Sequence, residues 1–264
     1  MKIYKAILLT ILLIVISYIP QLILLVLLEY TDLVTDGFIR HIYIVAVLSN
    51  LISFLIVFYY FWKPIPNISV SPSIKQLDLT ILPYLLLIVI GLGLAEQPLL
   101  DFEKILDYYQ NSEIKPHSTK FIGFSANFLY FRISSLIIAP IFEELFFRKF
   151  LFSKLLEKNK LWIAVVISSI CFSAIHFETP NNLIPTFIYG VIACIIYFNT
   201  KNIIYLIIIH FLYNLSSMLY MIYGEPFFDW VYGLNYDLIY WALAIFGILI
   251  TVLGVQKITT ANKT

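Results

Sequence analysis

Eight apolar stretches, most of them near the length a helix needs to cross a bilayer, constrain this sequence more than anything else in it. They run Ala6 to Leu28, Ile42 to Trp62, Leu79 to Ala95, Phe121 to about Leu155, Leu161 to Phe177, Leu183 to Asn199, Asn202 to Tyr223 and Asp237 to Val255. A helix needs about 20 apolar residues to span the hydrocarbon core, so the expected fold is an all-α membrane protein of about eight transmembrane helices. The third stretch is short, and the fourth is too long to lie wholly in lipid. The first follows Lys2 and Lys5 as a secretory signal would, but its apolar run is too long and no small-x-small cleavage site ends it. It is expected to stay as a helix.

Of the 264 residues, 61% are hydrophobic and 12% charged, too little charge to cover the surface of a soluble domain. The net charge of +1 and the lack of a Lys/Arg stripe argue against nucleic acid and point to the lipid bilayer for partners. Cys171 and Cys194 both lie within apolar stretches and read as small apolar residues. One membrane domain is expected in three parts: residues 1-120 as N-terminal helices with an outer amphipathic piece from Leu99 to Tyr109, residues 121-223 as a core, and residues 224-264 as a last helix and tail.

Charge placement orients the chain. With a cytoplasmic N-terminus, the inner segments carry Lys2, Lys5, Lys63, Lys75, Arg148, Lys149, Lys154, Lys158, Lys160, Lys201, Lys257 and Lys263. The outer ones carry only Arg40, Lys104, Lys115 and Lys120, a bias of roughly twelve to four in the sense of the positive-inside rule. Acids run the other way, with Glu29, Asp32, Asp36, Glu96, Asp101, Glu103, Asp107, Glu113, Glu178, Glu225, Asp229 and Asp237 outside. Both termini are therefore expected in the cytoplasm.

Ionisable groups inside spans cost about 2.5 to 3.5 kcal/mol each on insertion scales, so each needs a reason. The fourth stretch holds Ala139, Pro140, Glu143, Glu144 and Arg148. Glu144 and Arg148 stand four apart and can pair along one helical face, while Glu143 points about 100° away and is left for another task. The fifth ends in Phe172 to His176, and the seventh holds His210 and Asn214 one turn apart. Counted from the turn near Lys158 to Lys160, Glu143 and His176 each lie about 15 residues up their helices, roughly 22 Å. Asn214 lies roughly 20 Å beyond Lys201. Three helices thus deliver polar groups to one layer. A carboxylate beside an imidazole can take a proton from water, and an imidazole with an amide can donate hydrogen bonds to a developing oxyanion. That is a minimal set for hydrolysing an amide without a covalent intermediate, provided a polar cavity admits water.

The patterns Glu143-Glu144-x-x-x-Arg148, Phe172-x-x-x-His176 and His210-x-x-x-Asn214, with Ala139-Pro140 also fitting, resemble the CPBP family of CAAX proteases and bacteriocin-processing enzymes, also called Abi proteins. The resemblance covers about Phe128 to Tyr220. It implies that residues 121-223 form the catalytic core of an intramembrane endopeptidase with a CAAX-protease-like helical arrangement. It also implies that Glu143 and His176 activate water, that His210 with Asn214 stabilises the oxyanion, and that Arg148 holds Glu144 and the helix in place. Phe172 is expected in a supporting role. Lys149 stands where the family commonly has Gly after the Arg.

Other chemistries read less well. Gly123-Phe124-Ser125-Ala126 looks like a rhomboid nucleophile motif, but Ser125 lies at the edge of its helix with no partner histidine. Zinc on Glu143, His176 and His210 is possible, but Asn is a poor zinc ligand, and a mechanism with no cofactor is preferred. A proton-coupled transporter would use buried acids and histidines too, yet no inverted repeat is visible. A non-catalytic bacteriocin-immunity or membrane binding protein is the remaining alternative. Gly91 and Gly93 read as sites of close helix packing. The expected partner is a membrane-associated peptide or a prenylated protein C-terminus, and the expected location is a bacterial cytoplasmic membrane.

Overall fold

The computed structural model describes residues 1–30, 43–61, 77–111 and 123–261, and among these every regular element is helical. In chain order, α1 is Ile3–Tyr30, α2 is Tyr43–Phe61, and α3 is Leu82–Ala95 with the 3-10 turn Leu79–Ile81 before it. The amphipathic α4 is Phe102–Asn111. A composite rod, α5, runs over 126–156, and α6 is Leu161–Ala174. Then come α7 (Leu183–Thr200), α8 (Ile203–Tyr223), the short α9 (Glu225–Gly233) and α10 (Leu238–Ala261). Among the described residues, six helices are long and apolar enough to cross a membrane: Ile3–Leu24, Tyr43–Phe61, Leu79–Leu100, Pro180–Thr200, Ile203–Tyr223 and Leu238–Thr260. The expected fifth span is the shorter apolar α6, and the expected fourth is the rod α5. All eight anticipated helices are present, and α9 is an addition.

α3 and α10 pack backbone against backbone. A Cβ at Gly91 would lie 2.6 Å from the Gly247 carbonyl, and one at Gly247 would lie 2.6 Å from the Gly91 carbonyl. Small residues at such a crossing let two helices approach closely within lipid. Gly93 does not share in this, since nothing lies within 4 Å of a Cβ built there. The reason is rotational: Gly93 is two residues on, about 200° around the helix from Gly91.

The two ends of the bundle are tied separately. At one end, the Met1 amino group donates to the Lys154 carbonyl and Asn159 Nδ2 donates to the Met1 carbonyl at 3.0 Å. The Asp78 amide donates to Tyr205 Oη at 3.0 Å where α3 and α8 begin. At the other end, Tyr213 Oη donates to Glu96, and Asp101 accepts from Tyr232 Oη at 2.8 Å and Lys104 Nζ at 3.1 Å. Burial and the nearby Asp101 carboxylate push the Tyr232 phenol up, and push Tyr236 up to about 12, so both remain donors at neutral pH. Glu96 and Asp101 were expected on the outer side of the membrane, an expectation that leaves their burial open. Both are buried, because each carboxylate has found a phenol from a later helix. The expectations for Asp32, Asp36, Arg40, Lys63, Lys75, Glu113, Lys115, Lys120 and Lys263 lie outside the described residues.

Candidate active site

The site is built on irregularities in α5. Its segments are Ala126–Ile133, a π-helical Ser134–Ile138, Ala139–Glu144, a second π-helical stretch Leu145–Phe152 and Ser153–Leu156. Ser125 caps its start by accepting from the Phe128 amide at 3.1 Å, which gives the rhomboid-like serine a structural task. In the first π turn the Ala139 amide returns five residues to the Ser134 carbonyl. The next donor in that register would be residue 140, but Pro140 has no N–H, so the Ser135 carbonyl is left without an intrahelical partner. Asn214 of α8 supplies it, with Nδ2 donating at 2.6 Å. A carbonyl only accepts, so this bond fixes which end of the amide faces α5 and leaves the second Nδ2 hydrogen for other use.

Glu144 is a hub. Its Oε1 lies 3.2 Å from Arg148 Nη1, accepts from Tyr189 Oη at 3.1 Å and sits 2.9 Å from His210 Nδ1. Glu144 and Arg148 are wholly buried, and the pair anticipated from their four-residue spacing forms. The Arg148 guanidinium also stacks 4.0 Å from the Phe172 ring and 5.4 Å from Tyr189, which compensates a buried cation with two ring faces. A carboxylate held by arginine accepts hydrogen bonds, so His210 carries a hydrogen on Nδ1.

Phe172 lies between the parts. Its ring centroid is 5.0 Å from His176, 5.7 Å from Tyr189 and 6.0 Å from His210. Its carbonyl is 3.1 Å from His176 Nδ1, so that nitrogen is the donor and Nε2 holds the lone pair when the ring is neutral. His176 itself lies in the turn beyond α6, not on the helix as its spacing suggested, since α6 ends at Ala174.

Glu143, His176, His210 and Asn214 line one cavity of about 860 Å³, with Phe172 and Tyr189 in its wall. Glu144 and Arg148 do not line it. Glu143 is 5% exposed, and its Oε2 has no hydrogen-bond partner among the described residues. That oxygen lies 4.0 Å from His210 Nε2, too far for a direct hydrogen bond. The imidazole nearest that oxygen is therefore His210, whereas the sequence pairs Glu143 with His176, which shares the same cavity wall. No group of three or more His, Cys, Asp and Glu side chains is placed to hold one metal ion among the described residues.

Sequence reasoning missed Tyr189, an aromatic in an apolar run with no spacing signal to mark its hydroxyl. It also missed the link from Glu144 to His210, which joins helices far apart in the chain. The shared layer, by contrast, is present: the four groups come from α5, the end of α6 and α8, as the rise per residue required.

Residues 125–216 match the family described as Type II CAAX prenyl endopeptidase Rce1-like. A Bacillus subtilis (strain 168) protein named "Putative membrane peptidase YdiL" is 37% identical over 82 residues, 31% of this chain and 33% of that protein. The chain thus aligns with about a third of the curated relative's length. No solved structure matches it. Both matches support the resemblance that the three motifs carry, and over residues 125–216 the chain is similar to the CAAX-protease, or CPBP, family of membrane peptidases.

Proposed function

We propose that this chain is an intramembrane endopeptidase that hydrolyses a peptide bond in a membrane-associated peptide, with Glu143 as the base that activates water. The supporting observation is the division of labour between adjacent carboxylates. Glu144 is bound to Arg148, Tyr189 and His210, while Glu143 faces the cavity with Oε2 unbonded.

In this reading a water seated between Glu143 and the His176 Nε2 lone pair loses a proton to Glu143 as its oxygen bonds to the scissile carbonyl carbon. The carbonyl oxygen takes the negative charge and accepts from the second Nδ2 hydrogen of Asn214 and from His210 Nε2. His210 can donate there only as the doubly protonated ring, because its Nδ1 hydrogen is committed to Glu144. As the C–N bond breaks, Glu143 returns its proton to the leaving amine, and the carboxylate is restored. No metal is used.

Membrane peptidomics on cells with the wild type and with Glu143→Ala tests this reading and identifies substrates together. Cleavage products that appear only with the wild type are expected. Identical peptide profiles would favour a binding or immunity role.

A further inference from the structure

The walls of the cavity are one-sided along every helix that forms them. On α5 the wall ends at Glu143, on α7 it ends at Tyr189, and on α8 it begins at His210. Past those residues, towards the 157–160 turn, the interior is solid. Phe146, Phe147, Leu151, Phe152 and Leu206 are each fully buried, and they close that side with about 20 Å of packed helix between Glu143 and the end of α5. In the other direction the wall continues through Arg132 and Ser217 to Glu178 and Thr179, which are exposed. Among the described residues, a route for peptide or water thus exists in one direction only.

Which face that is follows from the tied ends. The closed end carries Met1, Lys2, Lys154, Lys158, Lys160 and the Lys201 turn. The open end carries Glu178 and the Glu225 and Asp229 of α9. By the positive-inside rule the closed, lysine-rich end is cytoplasmic. We propose that the cavity opens on the extracytoplasmic face and that the chain cuts peptide segments presented there, not cytoplasmic C-termini. The second half of the proposal rests on the peptidase reading above. The first half does not.

The test uses the full chain in cells, in a background where the buried Cys171 and Cys194 are replaced by Ala. A membrane-impermeant maleimide should label Asn182→Cys and Thr179→Cys in intact cells, and Lys158→Cys only after permeabilisation. Using two positions at the mouth guards against the failure of one variant to accumulate. The opposite labelling pattern would overturn the proposal. New peptide termini that depend on Glu143, found by comparing wild type with Glu143→Gln, should fall in extracytoplasmic segments of membrane or exported proteins. Termini confined to cytoplasmic segments would overturn the proposal while leaving the peptidase reading intact. Expected labelling with no Glu143-dependent termini at all would uphold the side of the opening and remove the cutting half together with the peptidase reading.

Discussion

Glu144 Oε1 lies 2.9 Å from His210 Nδ1, so the carboxylate next to the proposed base orients the ring that faces that base. The same oxygen is 3.2 Å from Arg148 Nη1. Glu144→Gln therefore removes the counter-charge of a buried cation and loosens His210 at once. Breaking such a pair by removing one partner costs about 3 to 5 kcal/mol. The expected outcome is a large fall in thermal stability in detergent together with lower turnover. Tyr189→Phe deletes only one hydrogen bond to Glu144 and should cost about 1 kcal/mol.

Asn214 should behave differently. Losing an oxyanion donor costs roughly 100-fold to 1,000-fold in turnover with little change in substrate affinity, and Asn214→Ala is expected to show that split. Pro140→Ala restores a backbone N–H beside the carbonyl that Asn214 binds. A smaller fall in turnover should follow, and it should vanish when Asn214 is already Ala. Independent, additive effects in single-turnover assays would refute the coupling.

The helix crossing makes a stability prediction remote from the site. Gly247→Ala brings a methyl group within 2.6 Å of the Gly91 carbonyl and 2.7 Å of the Ala95 amide nitrogen, backbone atoms that cannot turn aside. A loss of about 1 to 3 kcal/mol is expected from such overpacking. Gly93→Ala meets nothing within 4 Å and should leave the unfolding midpoint in place or raise it. The two midpoints, measured side by side, check the crossing.

These contrasts show what the sequence could and could not carry. Eight helices were legible because apolar runs of spanning length have no other use, and the Glu144–Arg148 pair because a spacing of four puts both on one face. The common layer of Glu143, His176 and Asn214 was expected from a fixed rise per residue, and all three line one cavity. Contacts between helices had no such arithmetic. Nothing in the run around Tyr189 marks its hydroxyl as a partner of Glu144, and nothing around Glu96 marks Tyr213 as its donor. The π turns of α5 were hidden for the same reason. Pro140 signals a lost hydrogen bond, but the carbonyl that is freed depends on a register set by packing.

Metal dependence is a separate question with a direct answer. If Glu143 and His176 act on water themselves, activity should survive exhaustive chelation, and purified protein should lack stoichiometric zinc. About one zinc per chain, lost together with activity, would contradict the metal-free reading.

The central claim is that Glu143, and not its neighbour, is the base. Glu143→Gln keeps the shape of the side chain and removes its ability to take a proton, and Glu143 holds no ion pair with Arg148 whose loss would unfold the core. Single-turnover cleavage of a substrate found by peptidomics, measured beside its direct binding in nanodiscs, should show turnover lower by at least 100-fold to 10,000-fold with binding retained. Cleavage at the wild-type rate by Glu143→Gln would contradict the account.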